Sequence, residues 1–386
     1  MSHSEQIQSL ADLPLPILTV FVNTQNRNAS RHPRVPVHDT WFRRTASEIS
    51  QTLSTDEEAL FQIQVGRIDH FLEGRHPEEK ALVIFAGRET WNVIPLQSGV
   101  ENEIRWGKPA VGQLFRLLHE HPPYGIVVID HRAARFFQFF LGEFTKLGEK
   151  RFEIDKSEWK EKDLGHVAGE KIRKTRGTNR DLFEHRVEAQ YEHLCREAAD
   201  QAMALAKQRD FAAVFLTGLE PLVGPILKKF PRSFKAEVVL VPEDCGKFSP
   251  NRILRRLAPL MADFEQKRQI AEVEQLLAAG PGTLTEADEI LARLQGGSIR
   301  AIVVAAGHDF HLRECEKCAS VNRSSDPVCA TCGGKRRTIA LLDILPSLAA
   351  EQDTKVEFVT GKAAQLLASA GGIAGWLRQP AKAANG

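Results

Sequence analysis

The chain has 386 residues, of which 42% are hydrophobic and 26% are charged, and this composition excludes a disordered or fibrous protein. Its 51 basic and 50 acidic residues leave a formal net charge of +1, so any contact with nucleic acid must come from local patches. The length predicts two or three domains. The absence of a secretory leader and of any apolar run of about 18 residues predicts a cytoplasmic protein without a membrane contact.

The first part of the chain, residues 1–120, is predicted to form an α/β domain after a loose polar leader at residues 1–12. Runs of β-branched residues bounded by turn residues indicate strands, and periodic apolar residues after a capping sequence indicate helices. The predicted strands are Ile17–Val22, Ala81–Phe85 and Trp91–Leu96, and the predicted helices are Trp41–Leu53, Thr55–Phe71 and Val111–His119.

Residues 121–262 are predicted to form a middle domain. The predicted strands are Ile126–Ile129, Arg135–Leu141, Ala212–Leu216 and Val238–Val241. The first two form a hairpin, and the last two alternate with a helix from Pro221 to Phe230, which predicts parallel strands. A long helical region from Ser249 to Ala279 is expected to bend near Pro259.

A basic stretch in this middle domain comes directly before a long helix. The residues from Asp163 onward contain glycines and turn formers but no apolar face, so we predict a loop that projects into solvent. The cations of this stretch are Lys171, Arg173, Lys174, Arg176 and Arg180. The helix is predicted to bury one stripe made of Leu182, Phe183, Val187, Tyr191, Leu194, Ala198, Ala202 and Leu205.

A mobile loop with one sign of charge suits a phosphate-rich partner such as RNA. Arg132 and Arg135 in the preceding hairpin extend the predicted basic surface. Two alternatives remain open at this point: a solvated surface loop without a partner, and structural salt bridges made by the two hairpin arginines.

Residues 263–386 are predicted to form a third α/β domain. Its predicted elements are helix Glu286–Leu294, strand Ile299–Val304, helix Leu341–Glu351, strand Val356–Val359 and a glycine-rich ending at 371–378. The predicted fold class is therefore α/β, with three domains in tandem and a small metal-binding insertion in the third.

Four cysteines form two Cys-x2-Cys pairs that are separated by ten residues: Cys315, Cys318, Cys329 and Cys332. Two such pairs predict four thiolates at one tetrahedral centre in an arm at about 308–338. We interpret the centre as structural zinc, with an iron–sulfur centre and redox dithiols as alternatives. Lys335, Arg336 and Arg337 follow the last ligand and are expected to contact RNA or to solvate the arm. Cys195 and Cys245 stand alone and are expected to pack in the core.

Several of these segments, in this order, resemble the archaeo-eukaryotic class I release factor and Pelota superfamily. Gly125-Ile126-Val127-Val128-Ile129-Asp130 and its hairpin resemble the opening of that family's middle domain, where a strand pair leads to a Gly-Gly-Gln loop and a long helix. Val356-Glu357-Phe358-Val359 and Gly371-Gly372-Ile373-Ala374-Gly375-Trp376-Leu377-Arg378 resemble its C-terminal signature. The cysteine pairs are similar to an insertion of archaeal members. The resemblance spans roughly residues 80–378.

The resemblance implies a tRNA-shaped protein of a bacterial branch that enters the ribosomal A site. Its implied partners are the rRNA of the A site and of the peptidyl-transferase centre, together with an elongation-factor-like GTPase. The codon-reading loop of the family has only a faint likeness here, Thr45-Ala46-Ser47-Glu48-Ile49-Ser50, which we interpret as coincidence.

The catalytic triplet of the family is altered in this chain. Arg176-Gly177-Thr178-Asn179 falls where the family carries Arg-Gly-Gly-Gln, which helps water attack the peptidyl-tRNA ester. Thr178 replaces a glycine whose backbone conformations are closed to a β-branched residue, and Asn179 is one methylene shorter than glutamine. We therefore expect a factor that occupies the A site, in hibernation or rescue, without hydrolysing peptidyl-tRNA. The alternatives are an active release or rescue factor and a zinc-containing protein-interaction module.

Overall fold

The polypeptide divides into two units, one made of Met1–His121 with Leu260–Gly386 and the other of Pro122–Pro259. The computed structural model describes residues 3–24, 37–73, 78–151, 175–278, 280, 282–308, 310 and 312–378. No helix within these ranges combines the length and the apolar character that are needed to cross a bilayer.

The N-terminal part of the first unit contains a four-stranded antiparallel sheet in the order β3-β2-β1-β4. Its elements are α1 (His3–Ala11), β1 (Ile17–Asn23), α2 (Val37–Ser50), α3 (Thr55–Leu72), β2 (Ala81–Ala86), β3 (Trp91–Leu96), β4 (Glu103–Gly107) and α4 (Gly112–Glu120). Strand β2 is a central strand that is buried along its whole length, and its Leu82, Ile84 and Ala86 side chains pack against the apolar faces of α2 and α3. The predicted strands and helices are confirmed, and α1 and β4 are additions.

The predicted loose leader at residues 1–12 is wrong. Helix α1 buries Ile7, whose side chain is only 3% exposed. This helix is hard to recognise from sequence, because nine residues with so few apolar side chains produce only a weak periodic pattern.

The second unit contains a mixed five-stranded sheet in the order β7-β6-β5-β8-β9. Its elements are β5 (Tyr124–Ile129), β6 (Ala133–Phe140), β7 (Glu143–Arg151), α5 (Thr175–Arg209), β8 (Ala213–Gly218), α6 (Glu220–Leu227), β9 (Glu237–Leu240) and the start of α7 (Pro250–Leu277). Strands β5, β8 and β9 are parallel, while β6 and β7 return antiparallel to the edge. The predicted hairpin and parallel strands are confirmed, and β7 extends the hairpin to a third strand.

Helix α5 packs on this sheet through a face of small side chains. The buried residues of that face are Cys195, Ala198, Ala199, Ala202 and Ala206. Tyr191, Leu194 and Leu205 are partly buried beside them. The predicted stripe is thus centred correctly over its C-terminal half but is too narrow, because Cys195, Ala199 and Ala206 were not counted as core. Residues 175–190 of α5 have described backbone but their side chains lie outside the described residues.

The C-terminal part of the first unit contains a sheet in the order β10-β16-β11-β15 and a smaller one in the order β13-β12-β14. Its elements are β10 (Thr283–Leu284), α8 (Ala287–Gln295), β11 (Ile299–Ala305), β12 (Leu312–Cys315), β13 (Val321–Asn322), β14 (Arg336–Ile339), α9 (Leu341–Glu351), β15 (Lys355–Val359), α10 (Gly361–Ser369) and β16 (Ile373–Leu377). The glycine-rich ending is therefore a strand, β16, preceded by a helix that the sequence reading did not identify.

The two outer segments of the chain share a hydrophobic contact surface in the first unit, where α4 packs against α9 and β15. The rings of Phe115 and Phe358 meet edge to face at 6.3 Å, and Arg105 pairs with Asp343 at 2.8 Å. Gly112 lies so close to the carbonyl oxygen of Leu342 that a Cβ there would approach it to 2.5 Å. The contacts among the described residues thus join the N-terminal and C-terminal segments into one unit. The predicted division of the chain into three domains, with boundaries after residues 120 and 262, stays a prediction.

A cluster of charges holds α7 against β15 in the first unit. The Arg268 guanidinium lies 2.7 Å from Glu265 and 3.4 Å from Glu272, and it also pairs with the buried Glu357. Three carboxylates therefore surround one guanidinium. Burial of Glu272, together with the charge of Glu357, raises the pKa of Glu272 to about 7.

This raised pKa predicts a pH-dependent stability. Because Glu272 holds its proton more tightly in the folded state, its contribution to stability is complete below the unfolded pKa and is lost as pH rises through about 7. Glu272→Gln should therefore raise the free energy of unfolding at pH 8, by about 1–3 kcal/mol, and change it less at pH 5. Urea unfolding at the two pH values measures this difference.

Glu274→Gln is the matched control, because Glu274 lies on the same helix with its side chain exposed. It should change the free energy of unfolding by less than about 0.5 kcal/mol at both pH values. An equal effect of Glu272→Gln at pH 5 and pH 8 would contradict the assignment.

Candidate metal centre and cationic surfaces

The structure brings the two cysteine pairs together at one end of the cysteine arm, residues 312–339. The four Sγ atoms of Cys315, Cys318, Cys329 and Cys332 all lie within 4.8 Å of one another. The Sγ atoms of Cys315 and Cys332 are 3.4 Å apart, and those of Cys318 and Cys329 are 3.7 Å apart. Sulfurs bound to a tetrahedral zinc ion are about 3.8 Å apart, whereas a disulfide bond is about 2.05 Å long. The four free thiols are therefore placed to hold a metal ion.

The two cysteine pairs lie on two separate backbone turns of the same type. The amide of Ala319 donates to the carbonyl oxygen of Cys315 at 2.9 Å, and the amide of Gly333 donates to that of Cys329 at 2.9 Å. The residue after each pair is left-handed, with φ 55° at Ala319 and φ 69° at Gly333. The arm thus contains two equivalent turns that face each other, and only the second has the glycine that this backbone conformation favours.

The backbone of these turns favours the thiolate form of Cys315 and Cys329. At Cys318, the Ser320 amide is outweighed by hydrogen bonds with the Cys332 and Cys315 thiols, which raise the pKa of the Cys318 thiol. The amide of Cys318 lowers the pKa of the Cys315 thiol. The amides of Thr331 and Cys332 lower the pKa of the Cys329 thiol to about 6. Metal ions bind the thiolate, so these amides support coordination without touching the metal themselves.

Arg336 binds inside the cysteine arm and is not free to contact RNA. Its guanidinium donates to the backbone carbonyl oxygens of Arg313, Asn322, Ser324 and Asp326. The neighbouring Arg337 pairs with Glu314 at 2.5 Å. Arg336 is therefore committed to the backbone of the arm, whereas Lys335 and Arg337 are exposed, and their expected contact with RNA stays a prediction.

The cysteine arm is attached to α8 by side chains that the sequence reading missed. The Gln295 amide exchanges two hydrogen bonds of 3.0 Å with the backbone of Val321, as a neighbouring strand would. Asp288 accepts a hydrogen bond of 3.0 Å from the amide of Arg323. A polar residue in the last turn of a helix carries no sequence signal for such a contact.

The two hairpin arginines have different surroundings. The Arg135 guanidinium donates to the carbonyl oxygens of Phe248, at 3.1 Å, and of Gly246. It therefore stabilises the loop before α7, a contact with carbonyl groups instead of the salt bridge considered from the sequence. Arg132 is exposed at the hairpin turn, which the carboxylate of Asp130 fixes by accepting from the Arg132 amide.

The predicted basic stretch is only partly described. Lys171, Arg173 and Lys174 lie outside the described residues. Arg176, Gly177, Thr178, Asn179 and Arg180 lie in the backbone of α5, and their side chains also fall outside the described part. Helix α5 begins at Thr175, so the backbone of the Gly177-Thr178-Asn179 triplet is helical and the predicted loop ends earlier than expected.

The two isolated cysteines are buried, as expected. Burial raises the pKa of both the Cys195 and the Cys245 thiol, which keeps them protonated and unreactive. Their positions in the core explain them as packing residues.

Comparison with known protein families identifies one part of the chain. Residues 109–262 match the model of a family described as bacterial archaeo-eukaryotic release factor family 10. The matched stretch runs from just before α4 into α7 and includes the whole second unit. No curated protein sequence matches the chain.

Several solved structures of translation factors are similar to the chain at low sequence identity. An archaeal translation termination factor, aRF1, is 14% identical, with 97% of each chain covered and a TM-score of 0.24. Archaeal Pelota, from a model of ribosome-bound Pelota and ABCE1, is 13% identical over 97% of this chain and 94% of that one, with a TM-score of 0.40. Dom34 of S. cerevisiae is 9% identical over 76% and 75% of the two chains, with a TM-score of 0.37.

The two cysteine turns predict opposite effects of exchanging alanine and glycine. Ala319→Gly should stabilise the cysteine arm by about 0.5–1 kcal/mol, because a left-handed backbone strains a residue with a Cβ atom. Gly333→Ala should destabilise it by about 1 kcal/mol through the same backbone strain. A steric clash does not add to this cost, because no neighbouring atom lies within 4 Å of the added methyl group. Hydrogen exchange of the arm amides, which reports local opening, measures both changes; the same sign for the two variants would contradict the equivalence of the turns.

Proposed function

We propose a function from the match of residues 109–262 to a bacterial family of archaeo-eukaryotic release factors, a match that supports the resemblance found in the sequence. From this premise we propose that the protein is a ribosome-binding translation factor that occupies the A site, in hibernation or rescue, without hydrolysing peptidyl-tRNA. One observation carries the proposal: the matched stretch contains both the basic residues at the start of α5 and the position of the catalytic triplet.

The proposed contact with the ribosome is electrostatic. The cations assigned to rRNA phosphates are Lys171, Arg173, Lys174, Arg176 and Arg180, with Arg132 on the neighbouring hairpin. Helix α5 supports them with a base fixed by its buried alanine face. Because the rest of the chain is almost neutral, binding should depend on this local charge and weaken as salt rises.

The altered triplet supports occupancy of the site without catalysis. A hydrolytic Gly-Gly-Gln loop requires backbone conformations that glycine adopts easily. A β-branched residue such as Thr178 does not adopt these conformations easily. The start of α5 at Thr175 gives the triplet a helical backbone, which a β-branched residue tolerates. Asn179 is also one methylene shorter than the glutamine that acts on the ester.

We infer that the metal of the cysteine arm is zinc and that its role is structural. Four thiolates suit zinc better than the cations that prefer oxygen ligands. Four protein ligands close the coordination shell, so the ion offers no position to a substrate. Bound there, zinc would supply folding free energy to an arm whose sheet is too small to fold alone.

The proposed role also defines where the protein acts and with which partners. An A-site factor acts in the cytoplasm on the ribosome, and the superfamily resemblance adds an elongation-factor-like GTPase as the partner that would deliver it. A protein-interaction module is the competing function, and it predicts association that is indifferent to RNA and to salt.

Ribosome pelleting tests the proposed contact. The protein should pellet with ribosomes at low salt and be released as salt rises. The double variant Arg176→Ala, Arg180→Ala should weaken binding about tenfold and reduce the slope of log K against log salt by roughly 1–2. The matched control is Lys207→Ala, Arg209→Ala, because these exposed cations lie at the opposite end of the same helix.

Loaded ribosomes provide the second readout. We expect no release of labelled peptide above background with the wild-type protein. Release that is abolished by Gly177→Ala would show that the triplet is catalytic and would overturn the non-hydrolytic role. No pelleting of the wild-type protein at low salt would overturn ribosome binding itself.

Elemental analysis of the purified protein tests the metal assignment. We expect about one zinc ion per chain. Cys318→Ser should lower the zinc content and expose the arm to proteolysis, because one ligand of the shell is lost. Cys195→Ala is the control, since Cys195 lies in the alanine-rich core of the second unit and is not one of the four clustered cysteines, and it should retain the zinc. Iron with a visible absorption band would contradict the assignment.

A further inference from the structure

A second cationic segment, Lys228–Lys235, lies between α6 and β9 on the surface of the second unit, Pro122–Pro259, which is called the middle unit below. It contains four cations, and the chain has no acidic residue between Glu220 and Glu237. Its exposed cations are Lys228, Arg232 and Lys235. None of these three forms an ion pair with another described residue, whereas Lys229 pairs with Glu192 of α5 at 2.8 Å. Among the described residues, the segment therefore presents three exposed cations without an ionic partner.

The backbone of the Lys228–Lys235 segment is held in place by two aromatic residues. The rings of Phe230 and Phe234 pack against each other at 5.1 Å, and both contact the core of the unit. The amide of Phe234 donates to the carbonyl oxygen of Pro231 at 2.9 Å, which closes a turn. Because the base is ordered before any partner binds, little backbone entropy is lost on association.

The helix dipole explains only part of this charge. Lys228 and Lys229 follow the last residue of α6, where cations stabilise the free carbonyl groups of the helix end. Arg232 and Lys235 lie beyond that last turn, where the dipole no longer acts. Their charge therefore calls for a different explanation.

Four other cations of the same unit are paired within the unit. Lys150 pairs with Glu197 at 2.9 Å, and Arg256 pairs with Glu243 at 2.8 Å. Lys146 and Arg151 share Glu149. Lys207, Arg209 and Lys247 are also exposed without a described ion pair, but the Lys228–Lys235 segment differs in holding three such cations within eight residues that include no acidic residue. A dense polyanion is the partner that this local charge would complement.

We propose that Lys228, Arg232 and Lys235 form a second RNA contact of the middle unit and bind consecutive phosphates of the ribosomal RNA backbone. The inference rests on the proposed ribosomal function and adds a contact surface to it. The segment spans at most about 25 Å, which is the reach of a few nucleotides. Phe230 and Phe234 are turned toward the core and do not stack on bases, so the contact positions the protein and reads no sequence.

The test compares two triple variants of the full chain in ribosome pelleting across a salt series. Lys228→Ala, Arg232→Ala, Lys235→Ala should weaken binding at least tenfold and lower the slope of log K against log salt by roughly 2–3, since each phosphate contact contributes about 0.7–0.9. Lys207→Ala, Arg209→Ala, Lys247→Ala removes the same charge from exposed positions of the same unit and should leave the slope unchanged. The charge-preserving variant Lys228→Arg, Arg232→Lys, Lys235→Arg should keep the wild-type binding and slope.

The outcomes separate this inference from the proposed function. Wild-type protein that does not pellet overturns the proposed function, whereas wild-type protein that pellets with a slope equal to that of the Lys228–Lys235 variant overturns this contact alone. A photo-crosslinker at position 232 should attach to rRNA. Attachment to a ribosomal protein instead would show an acidic protein surface as the partner and would also overturn the RNA contact.

Discussion

The packing of α5 on the mixed sheet is the contact on which the middle unit depends. Alanine side chains at 198, 199, 202 and 206 are short, so the helix axis can lie close to β5 and β8. Phe211 follows the helix and covers Gly125 so tightly that a Cβ at that glycine would approach the ring to 2.5 Å. A larger side chain at either place would separate the helix from the sheet. The start of α5, where the basic residues lie, is aligned by this contact.

Several arginines among the described residues hold the fold together. Arg135 and Arg336 each bind several backbone carbonyl groups, and Arg268 is surrounded by carboxylates. A planar guanidinium with five donors suits such positions, which a lysine cannot fill in the same way. Charge counted along the sequence therefore overestimates the surface that is open to a polyanion, and the unpaired cations of the middle unit are the ones to consider.

The sequence was most informative where a residue type has only one physical explanation. Two Cys-x2-Cys pairs predict their convergence whatever the fold, and the β-branched runs at Ala81 and Gly125 predict buried strands. It was least informative where a contact is made by ordinary residues. The alanines of α5, the Gln295 amide against the cysteine arm and the contact of Phe115 with Phe358 have no sequence signature, because each depends on a partner far along the chain.

The same physical requirements separate a blocking role from a catalytic one at the start of α5. Catalysis requires a backbone that can leave the helical region and place an amide within hydrogen-bond reach of a reacting water. Blocking requires only a stiff element of suitable charge, and a helix beginning at Thr175 on a fixed base is such an element. In a loop that depends on glycine, Thr178 restricts the backbone conformations that can be reached. In a helix, it lowers stability by only a few tenths of a kcal/mol, about its difference in helix propensity from alanine. Thr178 therefore supports the proposal that the protein occupies the site without catalysis.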